Sequence, residues 1–235
     1  HYSMGGLWID MDQMTNIPGL FAAGECDFSQ HGANRLGANS LLSAIYGGSV
    51  AGPSAVRYVN GLERSADSLP DSLYDNHVFE QTEKWNHILS MNGTENAYSL
   101  HKELGEWMTD NVTVVRYNDK LQETDNKIQE LLERWENINI HDTAKWSNQG
   151  ASFTRQLFNM LQLARVITLG ALKRDESRGA HYKPDFPDRN DEDFMKTTMA
   201  DFVDSKSAPN IYYEDIDVSL IKPRKRDYTK SKGAN

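Results

Sequence analysis

Residues 19–52 constrain the fold of this chain more than any other stretch, because three structural signals follow one another there. The apolar run at residues 20–23 ends at a glycine and predicts a short buried strand. A polar, glycine-containing loop follows at residues 31–37. Asn39 and Ser40, both residue types that favour helix N-caps, then precede an apolar run that predicts a helix. A strand, a polar loop and a capped helix in this order are typical of a βα unit that binds a cofactor.

Several side chains in this stretch are suited to holding a nucleotide-type cofactor beside a carboxylate substrate. Glu25, at the predicted end of the strand, is placed to accept hydrogen bonds from a ribose hydroxyl. The N–H groups of Asn39, Ser40 and Leu41 lie at the positive end of the helix dipole, which favours an anionic or electron-rich ligand. Arg35 carries a planar charged fork that matches a carboxylate. The alternative from these residues alone is an ordinary βα unit with a surface arginine.

The predicted helix covers residues 40–60 and ends at an asparagine–glycine pair, a common C-terminal signal. It carries small residues at Gly47, Gly48, Ala51 and Gly52. Because glycine lowers helix propensity, we interpret these positions as a face pressed closely against another backbone or a ligand.

Composition excludes several classes of protein. A formal net charge of -9 at pH 7 argues against non-specific nucleic-acid binding, which requires a basic surface. Cys26 is the only cysteine, so the chain has no internal disulfide, and a reducing compartment fits. No apolar run approaches the roughly 20 residues that span a bilayer. No cluster of cysteines and histidines has the spacing of metal ligands, so we predict no metal site.

The sequence becomes helical after a polar linker at residues 62–71. One amphipathic helix is predicted from Ser72, with Val78, Trp85, Ile88 and Leu89 on its apolar face. Three longer helices are predicted from the spacing of their apolar residues, at residues 95–116, 119–138 and 152–174. Because short segments connect several of these helices, we expect them to pack as a three-helix bundle.

The C-terminal part is predicted to be less regular. Residues 175–193 are charged and interrupted by proline, and residues 194–202 are predicted to form a short helix. Residues 211–213 and 218–221 are predicted to be two strands of a small hairpin. The basic tail at residues 222–235 is either solvated or docks to an acidic partner.

Four sequence motifs occur in an order that resembles the flavoprotein subunit of succinate dehydrogenase and fumarate reductase. They are HYSMGG at residues 1–6, GLFAAGE at residues 19–25, HGANRLGANSL at residues 31–41 and ESRGAHY at residues 176–182. The resemblance spans essentially the whole chain, and the sequence of residues 24–48 is most similar to the Gram-positive bacterial branch. Nothing in the sequence resembles the family's N-terminal dinucleotide fingerprint, its flavin-attachment histidine or its capping domain with the proton-delivering arginine.

The resemblance implies a fold that is mainly α with a small α/β part. Residues 1–70 would be the remnant of a Rossmann-like FAD-binding domain, and residues 71–190 the helical bundle domain. Residues 191–235 would be a C-terminal extension with short strands. The ESRGAHY segment would return toward the flavin-binding side, where Arg178 and His181 would have a structural role or would support residues of the site, without a catalytic role.

The resemblance also implies the chemistry, which is oxidation of succinate to fumarate, or the reverse, by hydride transfer with FAD. Arg35 would be the catalytic and substrate-binding residue that clamps one carboxylate, with His1 as a second substrate-binding residue. Among the cofactor-binding residues, Glu25 would bind the adenosine ribose. The flavin ring would be faced by the residues at the helix start, Asn39, Ser40 and Leu41. The segment alone would be inactive.

Partners and location follow from the same resemblance. The family passes electrons to an iron–sulfur subunit held by a membrane anchor subunit, which implies a peripheral position on the cytoplasmic side of the cell membrane. Two alternatives remain at this point. One is a flavoenzyme similar to L-aspartate oxidase, which shares related motifs, and the other is a helical module that docks a partner subunit.

Overall fold

The computed structural model describes residues 2–28 and 31–224 of the chain. His1, a predicted substrate-binding residue, and most of the basic tail lie outside the described residues. The helices, in chain order, are α1 Asn39–Asn60, α2 Asp71–Ser90, α3 Ala97–Met108, α4 Asn118–Trp135, α5 Gln149–Leu172 and α6 Asp191–Phe194. The strands are β1 Lys196–Asp201 and β2 Asn210–Asp215. Short 3-10 turns lie at Gly24–Cys26 and Ala66–Ser68, and a π-helical turn at Thr109–Thr113 extends α3.

Helices α3, α4 and α5 pack around one apolar core, which confirms the predicted helical bundle. Apolar residues recur at helical spacing on each of these helices, so each presents a stripe that can be removed from water. The most completely buried members of this core are Leu100, Ile128, Leu131, Leu157 and Leu161. The predicted fold class, mainly α with a small α/β part, is confirmed.

Helix α2 joins this core only through its C-terminal end. Ile88 is buried, and Trp85 and Leu89 pack against the core, as predicted. Val78 was predicted to lie on the same apolar face, but 65% of its surface is exposed. The prediction is wrong there because Val78 lies earlier in α2, away from the end that packs against the bundle.

A buried ion pair joins α5 to α4. The Nε–H of Arg165 donates to Oδ1 of Asp125 at 2.8 Å, and both side chains are less than a tenth exposed. Burying one of these charges alone would be costly, so the pair fixes how the two helices face each other.

The cap of α3 supports a testable prediction about stability. The side-chain oxygen of Asn96 accepts hydrogen bonds from the N–H groups of Tyr98 at 2.9 Å and Ser99 at 3.2 Å. Asn96→Ala removes this acceptor and is expected to lower the free energy of unfolding of the chain by about 1 kcal/mol. Urea denaturation measures the change, and Asn96→Ser, which keeps a capping oxygen, is the control. Equal stability of the two variants would contradict the role of the cap.

The predicted strand at residues 20–23 does not form, and residues 7–11 form none either. The structure contains only isolated paired residues there, Leu7 with Asp27 in parallel and Met14 with Phe21 in antiparallel orientation. A strand requires a neighbour that pairs with it over several residues, and the described residues place no such neighbour beside either segment.

The predicted C-terminal helix and hairpin are also corrected. Only Asp191–Phe194 is helical, and β1 follows it where the helix at residues 194–202 was expected. The partner of β2 is β1, with Thr198 opposite Tyr213, and residues 218–221 form no strand. Contacts with the end of α5 select this pairing, because the Arg174 guanidinium donates to the carbonyl of Lys196 and to Oγ1 of Thr198.

The end of α1 and the connection to α2 agree with the sequence. Helix α1 ends at Asn60, and Gly61 follows it as the C-cap. The chain then passes through Ala66–Ser68 into α2, where the domain boundary is expected. The division into residues 1–70, 71–190 and 191–235 stays a prediction.

Candidate functional site

The start of α1 differs in detail from the prediction. The N-cap is Ala38, in a left-handed conformation with φ of 67°, so Asn39 and Ser40 lie in the first turn of the helix and do not cap it. Alanine has no side-chain oxygen, so this N-cap residue makes no capping hydrogen bond. The first-turn N–H groups, together with the helix dipole, therefore present positive charge toward whatever lies in front of α1. Leu41 is largely exposed there, at 74%.

Helix α1 packs closely on the 3-10 turn Gly24–Cys26, as the small residues of the helix predicted. Gly47 is buried, and a Cβ atom there would lie 3.2 Å from the Cβ of Ala23 and 3.3 Å from the nitrogen of Gly24. Gly48 and Gly52 face open space, so the prediction of a close backbone approach is confirmed at only one of these positions.

Glu25 lies exposed in this 3-10 turn. Its Oε1 accepts a hydrogen bond from the N–H of Ser3 at 2.8 Å, which ties the first motif to the turn. The N–H of Leu7 donates to the carbonyl of Cys26 at 2.7 Å and strengthens the same connection. The carboxylate of Glu25 therefore lies at the surface near the start of α1, where a ribose hydroxyl could reach its second oxygen.

A buried serine on α1 links Tyr2 and His31. The hydroxyl of Ser43 donates to the carbonyl of Ser40 at 2.9 Å, so its oxygen is left to accept from Tyr2 Oη and from His31 Nε2, each at 3.1 Å. His31 then carries its proton on Nε2. The rings of Tyr2 and His31 also meet edge to face at 4.8 Å. Sequence reasoning missed this network, because Ser43 lies 41 residues from Tyr2.

Arg35 lies beside this network. Its guanidinium carbon lies 5.5 Å from the centre of the Tyr2 ring. Nη1 donates at 2.9 Å to the carbonyl of Leu36, which also accepts the N–H of Asn39 at the start of α1. The Nε atom of Arg35 is buried and has no hydrogen-bond partner among the described residues. A buried donor without a partner is costly, so this atom lacks an acceptor that the described residues do not supply.

Residues 176–182 return to the loop that carries Arg35, as predicted. The N–H of Ala180 donates to the carbonyl of Ala33 at 2.9 Å. Gly179, in a left-handed conformation with φ of +61°, lies directly against Ala33. The helical part of the chain therefore contacts the candidate site through backbone atoms.

An ion-pair cluster holds this returning segment. The side chain of Glu176 is completely buried and pairs with Arg174 and Arg178, each at 2.8 Å. Arg178 also pairs with Asp191 at 2.7 Å. Burial by itself would raise the pKa of Glu176. Hydrogen bonds from Arg178 and the Asn190 N–H, with the charge of Arg174, outweigh burial and lower the pKa below its usual value of 4.5.

His181 is a neutral structural residue in the same segment. Its Nε2–H donates to the carbonyl of Arg174 at 2.8 Å, and its Nδ1 accepts from the guanidinium of Arg116. Burial, aided by the nearby charges of Arg116 and Lys183, lowers the pKa of His181 to about 4 although the Arg174 bond opposes this. Both ring nitrogens are occupied, so His181 has no free nitrogen for proton transfer. The expectation of a structural role for Arg178 and His181 agrees with this geometry.

Comparison with known proteins identifies the chain. The family model described as fumarate reductase flavoprotein C-term matches residues 101–228, more than half of the sequence. The chain belongs to the succinate dehydrogenase and fumarate reductase flavoprotein family. A second model, described as FAD binding domain, matches residues 1–41 of this flavoprotein chain, which include Glu25, Arg35 and the start of α1. The resemblance drawn from the four motifs is confirmed.

Curated relatives and solved structures of this flavoprotein family agree. The succinate dehydrogenase flavoprotein subunit of Bacillus subtilis (strain 168) is 73% identical over 234 residues, covering 100% of this chain and 40% of the relative. The fumarate reductase flavoprotein subunit of Escherichia coli (strain K12) is 34% identical over 97% of this chain and 38% of the relative. A mutant structure of E. coli quinol fumarate reductase superposes with a TM-score of 0.86 at 31% identity, covering 96% of this chain and 38% of that one.

Two further facts bear on this flavoprotein chain. It spans about two fifths of the length of the curated relatives named above, which are subunits of larger assemblies. Among residues 2–28 and 31–224, no helix is both long and apolar enough to cross a bilayer.

Proposed function

We propose that this chain forms the part of a flavoprotein that holds a four-carbon dicarboxylate against FAD, for oxidation of succinate to fumarate or the reverse. The single observation that carries the proposal is Arg35, whose buried Nε has no partner among the described residues beside the uncapped start of α1. A carboxylate supplies the missing acceptor, and the family to which the chain belongs acts on dicarboxylates.

The residues at the start of α1 fit a flavin cofactor. The N–H groups of Ser40 and Leu41 lie in the first turn of a helix whose N-cap residue, Ala38, makes no side-chain hydrogen bond, so they can stabilise negative charge on a ring placed before them. Gly47 lets α1 approach the turn that carries Glu25, whose second carboxylate oxygen would accept a ribose hydroxyl. When bound, FAD supplies the hydride acceptor or donor at its ring.

The chain's own contribution to catalysis is orientation and charge neutralisation. Arg35 would bind one substrate carboxylate through two parallel hydrogen bonds, with His1 as a second donor, and so fix the substrate against the cofactor. Tyr2 holds the guanidinium of Arg35 by its ring face, while Ser43 fixes the Tyr2 hydroxyl. Because these contacts already hold the guanidinium, Arg35 is preorganised before the substrate binds.

Partners and location belong to the same proposal. The chain would act within a complex in which an iron–sulfur subunit receives electrons from FAD, with a membrane anchor subunit behind it. It would then lie peripherally at the cytoplasmic side of the cell membrane. No observation favours the L-aspartate oxidase alternative or a role limited to docking a partner.

Binding of a substrate mimic tests the proposed site. In a full-length flavoprotein that carries this sequence and FAD, malonate is expected to shift the flavin absorbance with a saturable dependence on concentration. The reason is that a dicarboxylate held by Arg35 brings negative charge to the ring. Propionate, which has one carboxylate, is the matched control and is expected to bind at least about tenfold more weakly, as when one charged contact is lost.

Two outcomes would contradict the proposal. Absence of any malonate-dependent change in a protein that retains FAD would exclude a dicarboxylate site beside the ring. Equal affinity for malonate and propionate would show that the second carboxylate has no dedicated partner.

A further inference from the structure

The returning segment contains a tight turn with two residues at its tip. The N–H of Arg178 donates to the carbonyl of His181 at 2.8 Å, and the N–H of His181 donates back to the carbonyl of Arg178 at 3.0 Å. Gly179 and Ala180 therefore form the tip of the turn. The position of the tip is determined by the two residues that flank it.

Both flanking side chains are anchored in the helical part of the chain. Arg178 is held by the completely buried carboxylate of Glu176 and by Asp191. His181 is held between the carbonyl of Arg174 and the guanidinium of Arg116. Just beyond the turn, the ammonium of Lys183 is buried and donates to the carbonyl of Leu172 at the end of α5. The turn is therefore a rigid extension of the helical bundle.

The tip of the turn touches the Arg35 loop, backbone against backbone. Besides the hydrogen bond from Ala180 to the carbonyl of Ala33, Gly179 lies so close that a Cβ atom there would be 2.3 Å from that oxygen. It would also be 2.6 Å from the carbonyl carbon of Ala33. Since φ of Gly179 is +61°, a side chain is disfavoured by conformation as well as by space. Glycine is the residue that permits this contact.

Ala33 lies two residues before Arg35, so the carbonyl that the turn holds sets the path of the backbone entering Arg35. The side chain of Arg35 itself bonds to the carbonyl of its neighbour Leu36. A shift of the loop would therefore carry the guanidinium with it. Misplacing a substrate-positioning group by about 1 Å can lower a rate by about a hundredfold.

We propose that the segment at residues 176–183, with Gly179 at the tip of its turn, is a positioning element for Arg35. The turn transmits the rigid geometry of the helical bundle to the loop that binds the substrate carboxylate. This inference rests on the proposed function, since it requires Arg35 to bind a dicarboxylate. Gly179 is a positioning residue and makes no contact with substrate.

A double-mutant cycle tests the proposal in a full-length, FAD-loaded flavoprotein that carries this sequence. Gly179→Ala is expected to lower kcat/KM for succinate by about tenfold and to raise the Kd of malonate by a similar factor. In an Arg35→Ala background, Gly179→Ala is expected to lower kcat/KM by less than about twofold, because the guanidinium that it would displace is already absent. Gly179→Asn repeats the test with a residue that tolerates the left-handed conformation, so its Cβ meets Ala33 without the added backbone strain, and it is measured if the alanine variant does not fold.

Gly19→Ala is the matched control. Gly19 also has a left-handed φ, of +84°, but its Cβ would face the side chain of Tyr58, away from the Arg35 loop. It is expected to lower thermal stability without raising the Kd of malonate. The positioning role is wrong if Gly179→Ala leaves the Kd of malonate unchanged. It is also wrong if Gly179→Ala lowers kcat/KM by the same factor in the Arg35→Ala background as in the original sequence. If Arg35→Ala alone has no effect, the proposed function fails instead.

Discussion

Arg35→Ala, in a full-length flavoprotein that carries this sequence, is expected to lower kcat/KM for succinate by about 10²- to 10³-fold. The loss corresponds to about 3 kcal/mol or more of transition-state stabilisation, typical of removing a preorganised charged contact. The structure gives the reason, because Arg35 is already held by the Tyr2 ring and the Leu36 carbonyl with its Nε lacking a partner among the described residues. Steady-state kinetics with succinate and an artificial electron acceptor measure the change.

Two comparison variants make this result specific. Arg35→Lys keeps the charge but loses the planar fork, so we expect an intermediate loss. Arg155→Ala removes an exposed arginine of α5 that bonds to Gln81, and we expect no change in kinetics. A thermal melt of each variant separates loss of binding from loss of folding. Unchanged succinate turnover by a folded Arg35→Ala protein would contradict the assignment of Arg35.

The helical bundle could be predicted from sequence because its information is local. Leu121, Ile128 and Leu131 recur at helical spacing on α4, and all three are fully buried in the structure. The same reasoning failed for Val78, whose spacing fits the apolar face of α2 but which lies away from the packed end of that helix. Periodicity identifies a face that can be buried, while tertiary structure determines how much of that face is covered.

The strands were harder to predict because their partners are not local. Residues 218–221 are apolar and follow a turn signal, yet Leu220 is 95% exposed and forms no strand. Strand β2 instead pairs with β1. Arg174, just after the end of α5, donates hydrogen bonds to Lys196 and Thr198 of β1, which lie more than 20 residues away in sequence. Nothing in the spacing of the strand residues themselves indicates that arrangement.

The candidate site also combines features that could be predicted from local sequence with features that could not. Arg35 and the start of α1 were predicted from adjacent residues, whereas the left-handed Ala38 that replaces a polar N-cap could not be. The contact between Ala180 and Ala33 joins residues that are far apart in the chain, and only the family resemblance indicated that the segment returns. The types and spacing of neighbouring residues identified the candidate functional groups. Contacts between residues far apart in sequence determine how those groups are held.

Glu176→Gln is expected to cause the largest loss of stability, about 3 kcal/mol in the free energy of unfolding of the chain at pH 7. The variant keeps the shape of the side chain but leaves the guanidinium groups of Arg174 and Arg178 without the buried carboxylate that both now contact. Arg178 keeps its pair with Asp191, so the charge left without a carboxylate is chiefly that of Arg174. Removing one partner from a buried ion pair costs more than the pair contributes. Urea denaturation measures the loss, with the exposed Glu133→Gln of α4 as the matched control.

The pH dependence gives a sharper test of the same carboxylate. Because the pKa of Glu176 is lowered in the folded chain, its contribution to stability is present above the unfolded pKa, near 4.5, and is lost as pH falls through the lower folded value. The stability difference between the original chain and Glu176→Gln should therefore be constant from pH 7 to about pH 5 and shrink below the usual carboxyl range. A difference that stays constant down to pH 3 would show that the charge of Glu176 does not stabilise the fold, and that the amide substitution acts through packing alone.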